Sequence, residues 1–131
     1  MDPLARIVIV EDESVIALHL AKQLRRFGYQ VVALASSGPR AIAYALARRP
    51  HVVLMDLHLQ GPMHGIEAAR PIQAAAPIPV VYMSAHAEAA TIERFQATTQ
   101  AAGLVPQPIH LPTLHATLQR GCSHPPGNLP R

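Results

Sequence analysis

Residues 52–56, Val-Val-Leu-Met-Asp, constrain the fold more than any other stretch of the chain. The first four are apolar without interruption. A strand with no polar alternation is covered on both faces, as the strands of a parallel sheet are. Asp56 ends the run and a loop follows, so its carboxylate is expected at the carboxyl edge of the sheet, where open α/β folds hold their ligands. Four further short runs read as strands: "RIVIV" (6–10), "YQVVALA" (29–35), "VVYMS" (80–84) and "LVP" (104–106). The segments between them carry helical signals instead. Ser14 is the expected N-cap of a helix over 15–27, in which Val15, Leu18, Ala21, Leu24 and Arg25 stand at helical spacing, and Gly28 is its stop. Ser37 caps a second helix, with Pro39 in its first turn and Pro50 at its end. Further helices are expected near 66–76, near 88–99 and over 112–120, and Pro71 should kink or shorten the first of these.

Strands alternating with helices imply an α/β fold: a five-stranded parallel, doubly wound sheet of flavodoxin-like order 2-1-3-4-5, with helices on both faces. The 131 residues suit one domain, expected over residues 5–120, and the aperiodic remainder, residues 121–131, reads as a mobile tail. Half the residues are hydrophobic, so disorder throughout is not expected. Eleven basic residues leave a net charge of +3, but they are scattered and form no stripe, so direct nucleic-acid binding is not expected. Cys122 is the only cysteine, which excludes an internal disulfide and suits a reducing, cytoplasmic setting. From Met1-Asp2-Pro3 no signal peptide is expected, and no apolar run approaches the ~20 residues of a membrane span.

In the order 2-1-3-4-5 the first and third strands are neighbours. Glu11 and Asp12 leave the first and Asp56 leaves the third, so three carboxylates converge. Such a cluster is costly unless a cation neutralises it. Oxygen-only donors select a hard ion, and Mg²⁺ is the expected one.

"VIVEDE", "VVLMDLHLQG", "HGIEAA", "PVVYMSA" and "GLVPQP" together resemble the receiver domain of two-component response regulators, chemotaxis regulators among them, from about Arg6 to Leu118. The resemblance implies a single-domain response regulator in a phosphorelay, whose Asp56 accepts a phosphoryl group from a histidine kinase or phosphotransfer protein. It implies side-chain metal ligation by Asp12 and Asp56, help from Glu11 through water, and a further ligand in the His58 backbone carbonyl. Ser84 stands where a hydroxyl hydrogen-bonds the phosphoryl oxygens. The module would be no enzyme beyond weak self-dephosphorylation. Its output would be contact with a downstream protein through the last helix and strand, and a homodimer is compatible with it.

This chain departs from the receiver pattern in two places. Gln107 precedes Pro108 where the family carries Lys, and the only lysine, Lys22, lies along the first helix. Gln donates hydrogen bonds but no charge. Leu104 stands in place of the aromatic switch residue. The acceptor would then be intact and the switch atypical; the alternative is a pseudo-receiver that works as an interaction module without phosphorylation. In receiver domains the bond before that proline is cis, so Gln107–Pro108 is expected to be cis. Pro106 is expected on an edge strand, where its missing N–H can face outward.

Eight histidines are present. His19, His51 and His115 are expected at the surface with no special task, and His64 in a loop. His58 and His86 lie two residues after Asp56 and Ser84, positions that in receiver domains flank the phosphoryl group and set how quickly water removes it. Two enzyme classes are disfavoured. Aspartyl-phosphate hydrolases need a second Asp where His58 stands, and a flavin phosphate would be repelled by "EDES" after the first strand.

Overall fold

The structure is a computed structural model that describes residues 4–85 and 101–122. Five strands, β1 (Arg6–Val10), β2 (Gln30–Ala35), β3 (Val52–Asp56), β4 (Val80–Ser84) and β5 (Gly103–Pro106), form one sheet in the order 2-1-3-4-5. Every pairing is parallel. The described helices are α1 (Ser14–Arg26), α2 (Gly38–Arg48), α3 (Gly65–Ala75) and α4 (Leu111–Gly121). The helix expected near 88–99, His86 and the tail beyond Cys122 lie outside the described residues.

The sheet is covered on both sides, and residues alternate between the two cores. Val8, Val10, Val53, Met55, Val80 and Tyr82 pack with the small faces of α2 and α3, Ala41, Ala45, Ala68 and Ala69. Ile7, Ile9, Val52, Leu54, Val81 and Met83 pack with Leu20 and Leu24 of α1 and Leu114 and Leu118 of α4. Each such aliphatic burial contributes about 1.5–3 kcal/mol, and apart from the Tyr82 hydroxyl the middles of the three inner strands carry only apolar side chains. β5 is an edge that pairs only with β4, and Pro106 is exposed there opposite Ser84.

The local signals set most boundaries, with corrections of about a residue. Ser37 caps α2 by accepting from the Arg40 amide at 3.3 Å, and Arg49 ends that helix in the left-handed region at φ 48° before Pro50. Glu13, not Ser14, is the N-cap of α1, because the Glu13 carbonyl already accepts from the Ala17 amide at 3.0 Å. Its buried stripe is Ala17, Leu20, Ala21 and Leu24, which leaves Val15 79% and Leu18 60% exposed. Three of the five residues expected at helical spacing, Val15, Leu18 and Arg25, are therefore exposed. Tyr29 does not join β2, since its amide closes α1 onto the Leu24 carbonyl at 3.0 Å. α3 runs four residues past Pro71, which is exposed in its interior. α4 takes in Gly121, a residue expected in the tail. The Gln107–Pro108 peptide is cis, as expected.

Two histidines do more than cover the surface. Tyr29 is buried; its hydroxyl lies 2.6 Å from His115 Nδ1 and accepts from Gln119 Nε2 at 3.2 Å, and Phe27 packs on the His115 ring at 4.6 Å. This ties the end of α1 to α4. At the opposite rim of the sheet from the carboxylates, His51 Nδ1 accepts from the Arg6 amide at 2.9 Å while the Arg6 guanidinium reaches the carbonyls of Arg48 and Arg49 at the end of α2.

Burial, and then the Arg6 charge, hold the His51 imidazole below its ordinary value of 6.5. The folded state binds that proton more weakly than the unfolded chain. The stabilisation is therefore complete above pH 6.5 and is lost as pH falls below it. We expect His51→Ala to cost about 1 kcal/mol near neutral pH, read from urea midpoints, and the gap to wild type to close in acid. A gap that does not change with pH would remove the ring–amide bond from this account.

Candidate functional site

β1 and β3 are paired with Val10 opposite Met55, so the residues that follow them emerge side by side. Glu11 is 3% exposed and Asp56 7% exposed, while Asp12 is half-buried. Each offers a carboxylate oxygen within 4.8 Å of the others. They form one end of a cavity of about 710 Å³ whose wall continues over Gln107, Pro108 and the start of α1. Neither Lys nor Arg is among its described lining residues.

Backbone amides hold the three carboxylates in place. The Glu13 amide donates to Glu11 Oε2 at 3.3 Å, the His58 amide to Asp56 Oδ1 at 3.0 Å, and the Gln60 amide to Asp12 Oδ2 at 3.1 Å. The loop after β3 must double back closely to reach Asp12. Gly65, where the loop ends, lies against the end of β3, for a Cβ there would lie 2.5 Å from the Asp56 carbonyl oxygen. His64 is the N-cap of α3 rather than a plain loop residue, and its amide donates to Glu67 Oε1 at 3.1 Å.

The other residues singled out from sequence fall at the same rim. Ser84 ends β4 beside Asp56 and is 1% exposed, with its Oγ 3.2 Å from His58 Nε2. The Gln107 amide donates to the Ser84 carbonyl at 2.9 Å, which seats Gln107 at the cavity wall. Glu11, Asp12, Asp56, His58 and Gln107 thus border one crevice, and Ser84 joins them through His58. Lys22 is exposed on α1 and does not line it. Leu104 is half-buried opposite Tyr82. Two contributors had no side-chain signal in the sequence: the Gln60 amide, and the imidazole of His58 reaching Ser84. Gly65 was visible only as part of "HGIEAA".

Electrostatics fit the cluster to a cation. The Glu11 carboxyl is pushed up to about 8, first by burial, then by hydrogen bonds to Asp12 and Asp56 and the charge of Asp56, against a smaller pull from the Glu13 amide. Three carboxylates this close do not all ionise without a counter-charge. The donors are all oxygens, the set that hard divalent ions take.

A family model, the response regulator receiver domain, matches residues 7–119. The transcriptional regulatory protein PdtaR of Mycobacterium tuberculosis is 35% identical over 68% of this chain and 43% of that protein. A protein-glutamate methylesterase/protein-glutamine glutaminase of Natronomonas pharaonis is 36% identical over 72% of this chain and 26% of its own length. The chain spans less than half the length of either relative. Among solved structures, the signal receiver domain of a modulated diguanylate cyclase from Desulfovibrio desulfuricans matches with a TM-score of 0.79 at 28% identity, covering 91% of this chain and 94% of that one. The chemotaxis protein CheY4 of Vibrio cholerae matches with a TM-score of 0.78 at 25% identity, covering 90% and 98%.

A raised folded-state value means that the Glu11 contribution is complete below its ordinary 4.5 and is lost as pH rises through about 8. With divalent metal chelated, the stability of wild type relative to Glu11→Gln should therefore fall across that window. Paired urea melts along a pH series measure it. A difference that rises or stays level would contradict the crowding of the three carboxylates.

Proposed function

The chain belongs to the response regulator receiver domain family, and from that premise we propose that Asp56 accepts a phosphoryl group from a histidine kinase or a phosphotransfer protein. The observation that carries this reading is Asp56 itself, a buried carboxylate at a strand end, oriented by the His58 amide and open to the crevice. A carboxylate oxygen of Asp56 forms the new P–O bond as the P–N bond of the donor phosphohistidine breaks. The electron pair returns to the imidazole nitrogen, which then takes a proton. The product is an acyl phosphate on Asp56, and the chain acts as acceptor rather than enzyme.

Mg²⁺ suits the site because the donors are oxygens alone and because burial, with Asp12 and Asp56 alongside, pushes the Glu11 carboxyl up to about 8. Asp12 and Asp56 would hold it through their side chains, the His58 backbone carbonyl would be a further ligand, and Glu11 would act through water. Bound there, the ion supplies positive charge against the phosphoryl oxygens. Ser84 offers them a hydroxyl, and Gln107 a neutral amide.

A ligand shifts two states only by the difference in its affinity for them. Gln107 gives a neutral contact where a charge-assisted one is about twice as strong, so the conformational response to phosphorylation is damped. The working setting is the cytoplasm, with a downstream protein as the target; no helix among the described residues is long and apolar enough to cross a membrane. The missing charge at Gln107 also favours a second reading, a pseudo-receiver recognised in one conformation without phosphorylation.

Millimolar Mg²⁺ should raise the melting temperature of wild type and leave that of Asp56→Ala nearly unchanged, because preferential binding to the folded state stabilises it. An equal shift in both proteins would place the ion elsewhere. With Mg²⁺ and a small acyl phosphate donor, intact mass should show one phosphoryl adduct on wild type and none on Asp56→Asn. Gln107→Lys should form the adduct about tenfold faster. If no adduct forms on wild type, the pseudo-receiver reading replaces this one.

A further inference from the structure

We infer that one copy of this chain docks head to tail on the next, with Arg26 at the end of α1 entering the carboxylate crevice of its neighbour. The inference goes beyond the acceptor reading of Asp56 and does not depend on it. The fold separates charge that the sequence scatters. All the described carboxylates, Glu11, Asp12, Glu13, Asp56 and Glu67, stand at the carboxyl rim of the sheet, at or just after strand ends or in the first turn of α3. The opposite rim carries Arg6 at the start of β1, Arg25 and Arg26 in the last turn of α1, and Arg48 and Arg49 at the end of α2, with no described carboxylate among them. Compensation of the helix dipole accounts for part of this. The α2 end has it already from Arg6, whose guanidinium reaches the carbonyls of Arg48 and Arg49. At the α1 end Arg25 donates to the Val31 carbonyl at 3.3 Å, while the exposed side chain of Arg26 has no hydrogen bond or ion pair among the described residues.

The two rims are complementary. The crevice wall holds Glu11, Asp12, Glu13 and Asp56, and no Lys or Arg is among its described residues. One divalent ion at the cluster offsets only two of those charges, so a further cation is still attracted. A guanidinium suits the place, because its planar fork matches a carboxylate and it is weakly hydrated. Exposed apolar side chains accompany the charge at both ends. Of the five large apolar residues exposed in the described chain, Val15 and Ile16 line the crevice, and Phe27 and Leu4 stand at the Arg26 end. Leu4 is tied there by its amide, which donates to the Gly28 carbonyl at 2.9 Å. A second copy therefore presents a cation and an apolar edge together, to a crevice that offers carboxylates and an apolar edge. Such a contact joins different patches of the two copies, so it leaves one of each free and extends rather than closes. A crevice filled in this way covers Asp56, and open acceptor sites decline as protein concentration rises.

Sedimentation of the full, unmodified chain from micromolar to millimolar concentration tests this, whatever the fate of the acceptor reading. The weight-average mass of wild type should climb past that of a dimer at about 0.01 M salt and fall back toward the monomer at about 1 M, where the screening length is ~3 Å. The double variant Arg25→Gln/Arg26→Gln removes the cations from the docked end, and Val15→Arg sets a repelling one at the crevice mouth. Each should weaken self-association about tenfold. Mixed one to one, the two variants should form a dimer and stop there, because the first keeps an intact crevice and the second an intact Arg26. Gln107→Lys, which places a cation in the crevice wall, should weaken association about three- to tenfold by a separate route. Amide spectra check that each variant is folded. A wild type that stays monomeric throughout, variants that associate as tightly as wild type, or a mixture that yields no dimer overturns the proposal.

Discussion

A sheet covered on both faces has little place for a polar side chain along its inner strands, so apart from the Tyr82 hydroxyl β1, β3 and β4 carry their carboxylates and hydroxyl only at their ends or just beyond. Val10, Met55 and Met83 are fully buried, and the next residue in each strand direction is Glu11, Asp56 or Ser84. The parallel register brings those three positions to one rim. Antiparallel pairing would have sent neighbouring strand ends to opposite rims. The site is therefore a property of the sheet before it is a property of any loop.

Crowding charge at that rim has a cost that the surrounding backbone offsets only in part. Amides of Glu13, His58 and Gln60 each satisfy one carboxylate. Burial, and then the neighbouring Asp12 and Asp56, still push the Glu11 carboxyl up to about 8, in a set of oxygen donors of the kind hard divalent ions take. The loop after β3 serves two ends at once: its first turn orients Asp56 and its Gln60 amide reaches Asp12, while Gly65 lets α3 start close against the end of β3.

Much of this was legible in the sequence because the strands are short, largely β-branched runs, apolar at consecutive positions and set between helical signals. The strand order followed from topology, and the carboxylates were visible because each interrupts or follows such a run. What the sequence hid were matters of rotation and reach. Val15 and Leu18 look like core residues, but α1 turns the stripe of Ala17, Leu20, Ala21 and Leu24 inward, since only that set spans i, i+3, i+4 and i+7 without a polar member. His51 and His115 read as surface histidines because their partners, Arg6 and Tyr29, are 45 and 86 positions away in the chain. The same distance problem concealed the imidazole of His58 beside Ser84.

The tie between α1 and α4 has a consequence for the order in which the molecule can be made. Tyr29 and Gln119 are 90 positions apart, and Leu114 and Leu118 complete the core against which α1 packs. On the ribosome, the first helix is extruded long before its partner exists. Until α4 emerges, Ile7, Ile9 and Leu54 have only half their cover on that side of the sheet, whereas α2 and α3 follow their strands closely and can close the other side early. Synthesis therefore leaves one apolar face waiting for the last helix, and the nascent chain is most exposed to aggregation in that interval.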